Sequence, residues 1–97
     1  MHIEPEHMTE VKRILAFWAP GVPVFAFGSR VHGRSLKKTF DLDLCCRAPT
    51  PTLDKTLRQL QNAFDVSDIP YRADMIDWHA LSPEFAALIE SDLMQIQ

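Results

Sequence analysis

The sequence predicts a small α/β domain, and three observations carry that expectation. Segments with apolar residues three and four apart alternate with short β-rich runs, in the order helix, strand, turn, strand, helix, strand, helix. The chain has 97 residues, enough for one domain with one modest core. Hydrophobic residues make up 46% and charged residues 24%, which excludes wholesale disorder. Neither repeat, linker nor low-complexity tract divides residues 1–97, so they read as a single domain.

The elements follow from local pattern. Val11, Ile14, Leu15 and Trp18 make one helical face over Glu4 to Trp18, and Pro20-Gly21 stops it. Val22 to Phe27 is a first strand that ends at Gly28. Ser29 to Ser35 reads as a short helix or turn broken by Gly33, and Phe40 to Cys46 as the second strand. Thr52 is placed to cap a helix running to Phe64, with Leu53, Leu57, Leu60 and Phe64 on one face. Tyr71 to Trp78 is a third strand. Ser82-Pro83-Glu84 opens a last helix, with serine at the cap and proline in the first turn.

Charge and composition narrow the function. The net charge is −3, yet Arg30, Arg34, Lys37 and Lys38 lie together without an acid, which leaves the rest strongly acidic. Such a chain lacks the broad positive face of a nucleic-acid binder and suits a small, highly charged anion. No apolar run approaches the roughly 20 residues that cross a bilayer. The N-terminus has no signal-peptide pattern, and Cys45 and Cys46 are adjacent, so a reduced, cytoplasmic protein is expected.

Gly28 to Leu44 holds the chemistry. Gly28-x4-Gly33-Arg34-Ser35 nearly spells a P-loop, but a strand follows where a P-loop needs a sustained helix. What remains is a Gly-Ser turn after a strand, offering backbone N–H groups and a hydroxyl to an anion. In Asp41-Leu42-Asp43-Leu44 the alternation of a strand sends both carboxylates to one face and both leucines to the other. Paired carboxylates repel, and a divalent cation with a taste for hard oxygen ligands removes the penalty. A solvated face or a partner arginine is the plainer use of an isolated Asp-x-Asp.

The third strand adds Asp74 and Asp77, which point to opposite faces. Asp77 lies near the strand end with a route to solvent, whereas Asp74 is mid-strand, where an unpaired charge is costly. Asp74 is therefore the expected third carboxylate, with Asp77 as the alternative. Three carboxylates facing a basic phosphate-binding turn are the parts of two-metal phosphoryl or nucleotidyl transfer.

Gly28-Ser29, then Asp41-x-Asp43, then a single strand aspartate resembles the DNA-polymerase-β-like nucleotidyltransferase superfamily. The short length is similar to its minimal nucleotidyltransferase branch, often paired with a helical HEPN-domain toxin. The resemblance spans Phe25 to about Ile89. It implies a nucleotidyltransferase fold, an α+β form of the α/β class with a small mixed sheet backed by helices. It implies ATP as substrate and two Mg²⁺ ions on Asp41, Asp43 and Asp74. It implies that Gly28 and Ser29 hold the outer phosphates and that Arg30 balances their charge. The expected activity is transfer of AMP to a hydroxyl of the HEPN partner, as its antitoxin. Eleven residues separate Ser29 from Asp41, one more than is usual there. An antitoxin that binds nucleotide and acts by complex formation is thus the alternative, and a small metal-dependent phosphohydrolase a third.

The remaining residues carry plainer readings. His2 and His7 lie near a frayed terminus, His32 within the basic turn, and His79 in a strand-to-helix loop. Cys45 and Cys46 read as one core thiol and one sheet-face thiol. Leu93-Met94-Gln95-Ile96-Gln97 stays apolar to the end, which reads as a surface for a partner, unless Leu93 and Ile96 pack back on the domain.

Overall fold

The computed structural model describes residues 3–28 and 41–97. The expected turn at Ser29 to Ser35, with its basic residues, lies outside the described residues.

Helix α1 (Pro5–Trp18) begins with proline in its first turn and buries Val11, Ile14 and Leu15. Ala19 N–H closes it on Leu15 O, and Gly21 takes a φ of 78° in the turn to β1 (Val24–Phe27). Strand β2 (Leu42–Cys46) runs antiparallel to β1. Helix α2 (Asp54–Asp65) then crosses back to β3 (Ala73–Asp77), which is parallel to β2. A 3₁₀ turn at Trp78–Ala80 leads to helix α3 (Pro83–Ile89), where Phe85 N–H donates to Ser82 Oγ as the cap pattern predicts. A second 3₁₀ turn precedes β4 (Met94–Gln95), antiparallel to β1. The sheet order is β3-β2-β1-β4, a mixed sheet as expected.

The two faces of this sheet differ. Val24, Ala26, Leu42, Leu44, Cys46 and Ala73 pack under α1 and α2, against Val11, Ile14, Leu15, Leu60 and Phe64. The other face carries a smaller cluster of Phe27, Cys45 and Ile89, joined by Ile76, Trp78, Leu81 and Leu93. Phe85 of α3 meets Phe27 edge-on, with ring centres 6.2 Å apart, so the end of β1 is clamped just before Gly28. The half of this face beyond the small cluster is left to polar residues, and it holds the candidate site.

Four expectations are corrected. The C-terminal run is not a free surface: Met94 and Gln95 pair with β1, and Leu93 and Ile96 join the two clusters. Gln97 Nε2 donates to Ala19 O and Val22 O, which ties the terminus to the α1–β1 turn. Thr52 does not cap α2, whose N-cap residue is Leu53 without a side-chain bond. His7 is part of α1, with its ring edge-on to Tyr71, rather than in a frayed segment. Finally, β2 begins at Leu42, so Asp41 lies one residue before it.

Candidate functional site

The parallel pairing of β2 with β3 sets Asp43 directly against Asp74. Side chains alternate along both strands, so these carboxylates share the face of Cys45 and Ile76, opposite α1 and α2. In the antiparallel direction Asp43 stands against Phe27, one residue before Gly28. Gly28 has a φ of 84°, and a Cβ there would fall 2.7 Å from Asp43 Oδ2. The left-handed backbone favours glycine, and a Cβ would also force the Asp43 carboxylate to move. Asp41 is exposed ahead of β2, and Leu42 N–H donates to Arg72 O at 2.8 Å, which fastens this stretch to β3.

The electrostatics follow from crowding. The Asp43 carboxyl is pushed up to about 6, first by burial and then by the charges of Asp74 and Asp41. Asp74 is half-buried and held by Arg72, with Nε 2.6 Å from Oδ1. The guanidinium of Arg72 is itself held above its usual range, chiefly by its hydrogen bond to Asp74 and more weakly by Asp74, Asp41 and Asp65 charge. Among the described residues, no three His, Cys, Asp or Glu side chains already stand together as a metal cluster. The donor set nonetheless fits a hard cation: burial and then the charges of Asp74 and Asp41 keep Asp43 from ionising at its ordinary pH, a penalty that bound positive charge would remove.

The structure thus brings Gly28, Asp43 and Asp74 together, with Asp41 near enough for its charge to act on Asp43. Ser29 and Arg30 lie outside the described residues. Asp77 does not escape to solvent as expected: it is 6% exposed, on the helix side of the sheet. There its Oδ2 accepts from Thr52 N–H at 3.3 Å, so it anchors the approach to α2. Burial therefore separates the two β3 aspartates in the reverse sense to the solvent argument, while the alternation argument separates their faces correctly.

Two contributors escape sequence reasoning. Arg72 lies just ahead of β3 and precedes Asp74 by two residues, a spacing that in extended chain turns both side chains the same way, and this is the available signal. Gln61 on α2 donates from Nε2 to Ala73 O and accepts Met75 N–H on Oε1, so its amide covers the outer edge of β3 beside Asp74. Nothing local in the sequence marks that role. Cys45 and Cys46 are both buried, on opposite faces, and burial pushes their thiols up to about 12 and about 11. Neither is a nucleophile. His79 Nε2 donates to Ala48 O, 2.7 Å away, and serves the loop.

Solved structures share the fold of this chain. A crystal structure of a toxin–antitoxin with AMP-PNP has the same fold, with a TM-score of 0.73 over 93% of this chain and 72% of that one, at 16% identity. A mutant MntA–HpeT toxin–antitoxin carrying two aspartate-to-glutamate changes has a TM-score of 0.71, over 93% and 71%, at 13% identity. The chain thus shares the fold of both toxin–antitoxin structures. No protein-family model matches the chain. Its sequence, however, is 41% identical over 98 residues to the probable protein adenylyltransferase MntA of Haemophilus influenzae, taking in all of this chain and 84% of that protein. The chain belongs to the MntA family of protein adenylyltransferases, minimal nucleotidyltransferases by class.

Proposed function

We propose that this chain binds ATP with Mg²⁺ and transfers AMP to a hydroxyl of a partner HEPN-domain toxin, acting in the cytoplasm as its antitoxin. The observation that carries the reading is the pairing of Asp43 with Asp74 beside a glycine with no room for a Cβ. Support comes also from the relatives: one is named an adenylyltransferase, and the structural neighbours are a toxin–antitoxin with AMP-PNP and an MntA–HpeT toxin–antitoxin.

In this reading Asp41, Asp43 and Asp74 hold Mg²⁺, with two ions as the expected complement. Bound there, the metal supplies positive charge against the α-phosphate and the departing pyrophosphate. Gly28 and Ser29 cradle the outer phosphates with backbone N–H groups, and Arg30 balances their charge. The acceptor hydroxyl oxygen bonds to the α-phosphorus as the α–β anhydride bond breaks. Pyrophosphate leaves, and the hydroxyl proton passes to the carboxylate of Asp74.

The test is co-purification with the partner toxin and incubation with ATP labelled at the α-phosphate. Label should appear on the partner in a Mg²⁺-dependent manner, and Asp43→Asn should lower the rate at least a hundredfold. A second reading, neutralisation by complex formation without transfer, is favoured by the eleven residues between Ser29 and Asp41. A stable, inactive toxin complex that never takes up label would establish that second reading instead.

A further inference from the structure

Asp41, Asp43 and Asp74 concentrate negative charge, and among the described residues Arg72 is the cation that touches the group. It sits one residue ahead of β3 and two before Asp74, with Nε 2.6 Å from Oδ1. Its backbone carbonyl receives Leu42 N–H, so it is also fastened beside Asp41. The side chain is nevertheless 69% exposed: it reaches the carboxylate from solvent and has room to leave. An ion pair this exposed contributes little to folding, so its use is better sought in what it competes with.

We infer that Arg72 is a displaceable internal counter-ion of the metal site, occupying Asp74 until a divalent cation takes the carboxylate from it. The inference rests on the proposed metal-binding role of the three aspartates. Arg72 then sets the cation concentration at which the site loads. A carboxylate oxygen bonded to a guanidinium has less electron density to give a metal, and a positive charge beside the site repels a second one. Loading requires both terms to be overcome. Arginine suits the task better than lysine, because its planar fork bonds a carboxylate directionally and its charge is permanent.

The test is calorimetric titration of the purified chain with Mg²⁺ alone, and with Mn²⁺ alone, for wild type, Arg72→Ala, Arg72→Lys and Asp43→Asn. Arg72→Ala should bind the cation about three- to tenfold more tightly at low salt, and the gain should shrink as ionic strength rises. Arg72→Lys, which keeps charge but loses the fork, should fall between the two. Circular dichroism should report the same fold for all four proteins. Equal affinity in wild type and Arg72→Ala overturns the inference while leaving the metal site standing. Weaker binding in Arg72→Ala also overturns it, since Arg72 would then present Asp74 to the metal instead of competing for it. If wild type binds no cation and Asp43→Asn is indistinguishable from it, the metal-site reading fails first, and the counter-ion role with it.

Discussion

A methyl group on Gly28 would lie 2.7 Å from Oδ2 of Asp43, closer than unbonded carbon and oxygen approach. The glycine at the end of β1 and the aspartate at the centre of the carboxylate face are thus fitted to one another. Gly21 gives the matching control, because it has a similar φ of 78° but nothing within 4 Å of its missing Cβ. Gly21→Ala should cost only the left-handed backbone, about 1 kcal/mol. Gly28→Ala carries that strain and also displaces Asp43. It should melt lower than Gly21→Ala and bind ATP at least tenfold more weakly, measured by thermal unfolding and calorimetry. Equal loss in both variants would remove the steric link.

The raised Asp43 carboxyl makes stability depend on pH. In the folded protein it titrates at about 6, against 3.8 for an ordinary aspartate, so between those values the folded state holds the proton and the unfolded state does not. Stability therefore falls as pH rises from about 4 to about 6 and stays lower above that. The group is only partly buried, so solvent screening reduces the effect to roughly 1 kcal/mol. Metal-free wild type should show this decline in denaturant titrations, and Asp43→Asn should lack it.

Added Mg²⁺ should reverse the same decline. At pH 7 a few millimolar Mg²⁺ should raise the melting temperature of wild type by several degrees, while Asp43→Asn should lose most of the response. An identical Mg²⁺ shift in the two proteins would sink the metal-site reading.

The β3 aspartates should separate by phenotype. Asp77→Ala leaves Thr52 N–H without its acceptor in a buried setting and should cost about 1–3 kcal/mol, with cation affinity retained. Asp74→Asn should change stability by less than about 1 kcal/mol, since its partner Arg72 is exposed, yet should abolish AMP transfer. Denaturation curves and the transfer assay read the two effects independently.

Gln61→Ala should expose the outer edge of β3. The amide holds Ala73 O and Met75 N–H, the groups that another strand would otherwise seek. The variant should lose about 1–2 kcal/mol and self-associate at concentrations where wild type does not, as seen by light scattering.

What the sequence determined by itself is what depends on neighbours along the chain. The apolar spacing in Val11, Ile14 and Leu15 makes one face of α1, and Ser82-Pro83 starts α3, because caps and helical faces are set within a few residues. The alternation of Leu42, Asp43 and Leu44 separated core from carboxylate in the same local way. The tertiary structure alone decided which strands meet and in what register. Parallel pairing of β2 and β3 through α2 put Asp43 against Asp74, and antiparallel pairing of β1 put Phe27 against Asp43 and so brought Gly28 beside it. It also drew Met94–Gln95 into β4 and buried Asp77 beneath the approach to α2, where solvent had been the expectation. Arg72 and Gln61 belong to this second group, since a contact with Asp41, or across from α2 to β3, is invisible until the chain returns to itself. Periodicity is a property of a dozen residues, whereas register is chosen by the burial of the whole sheet, and the candidate site lies where two registers meet on β2.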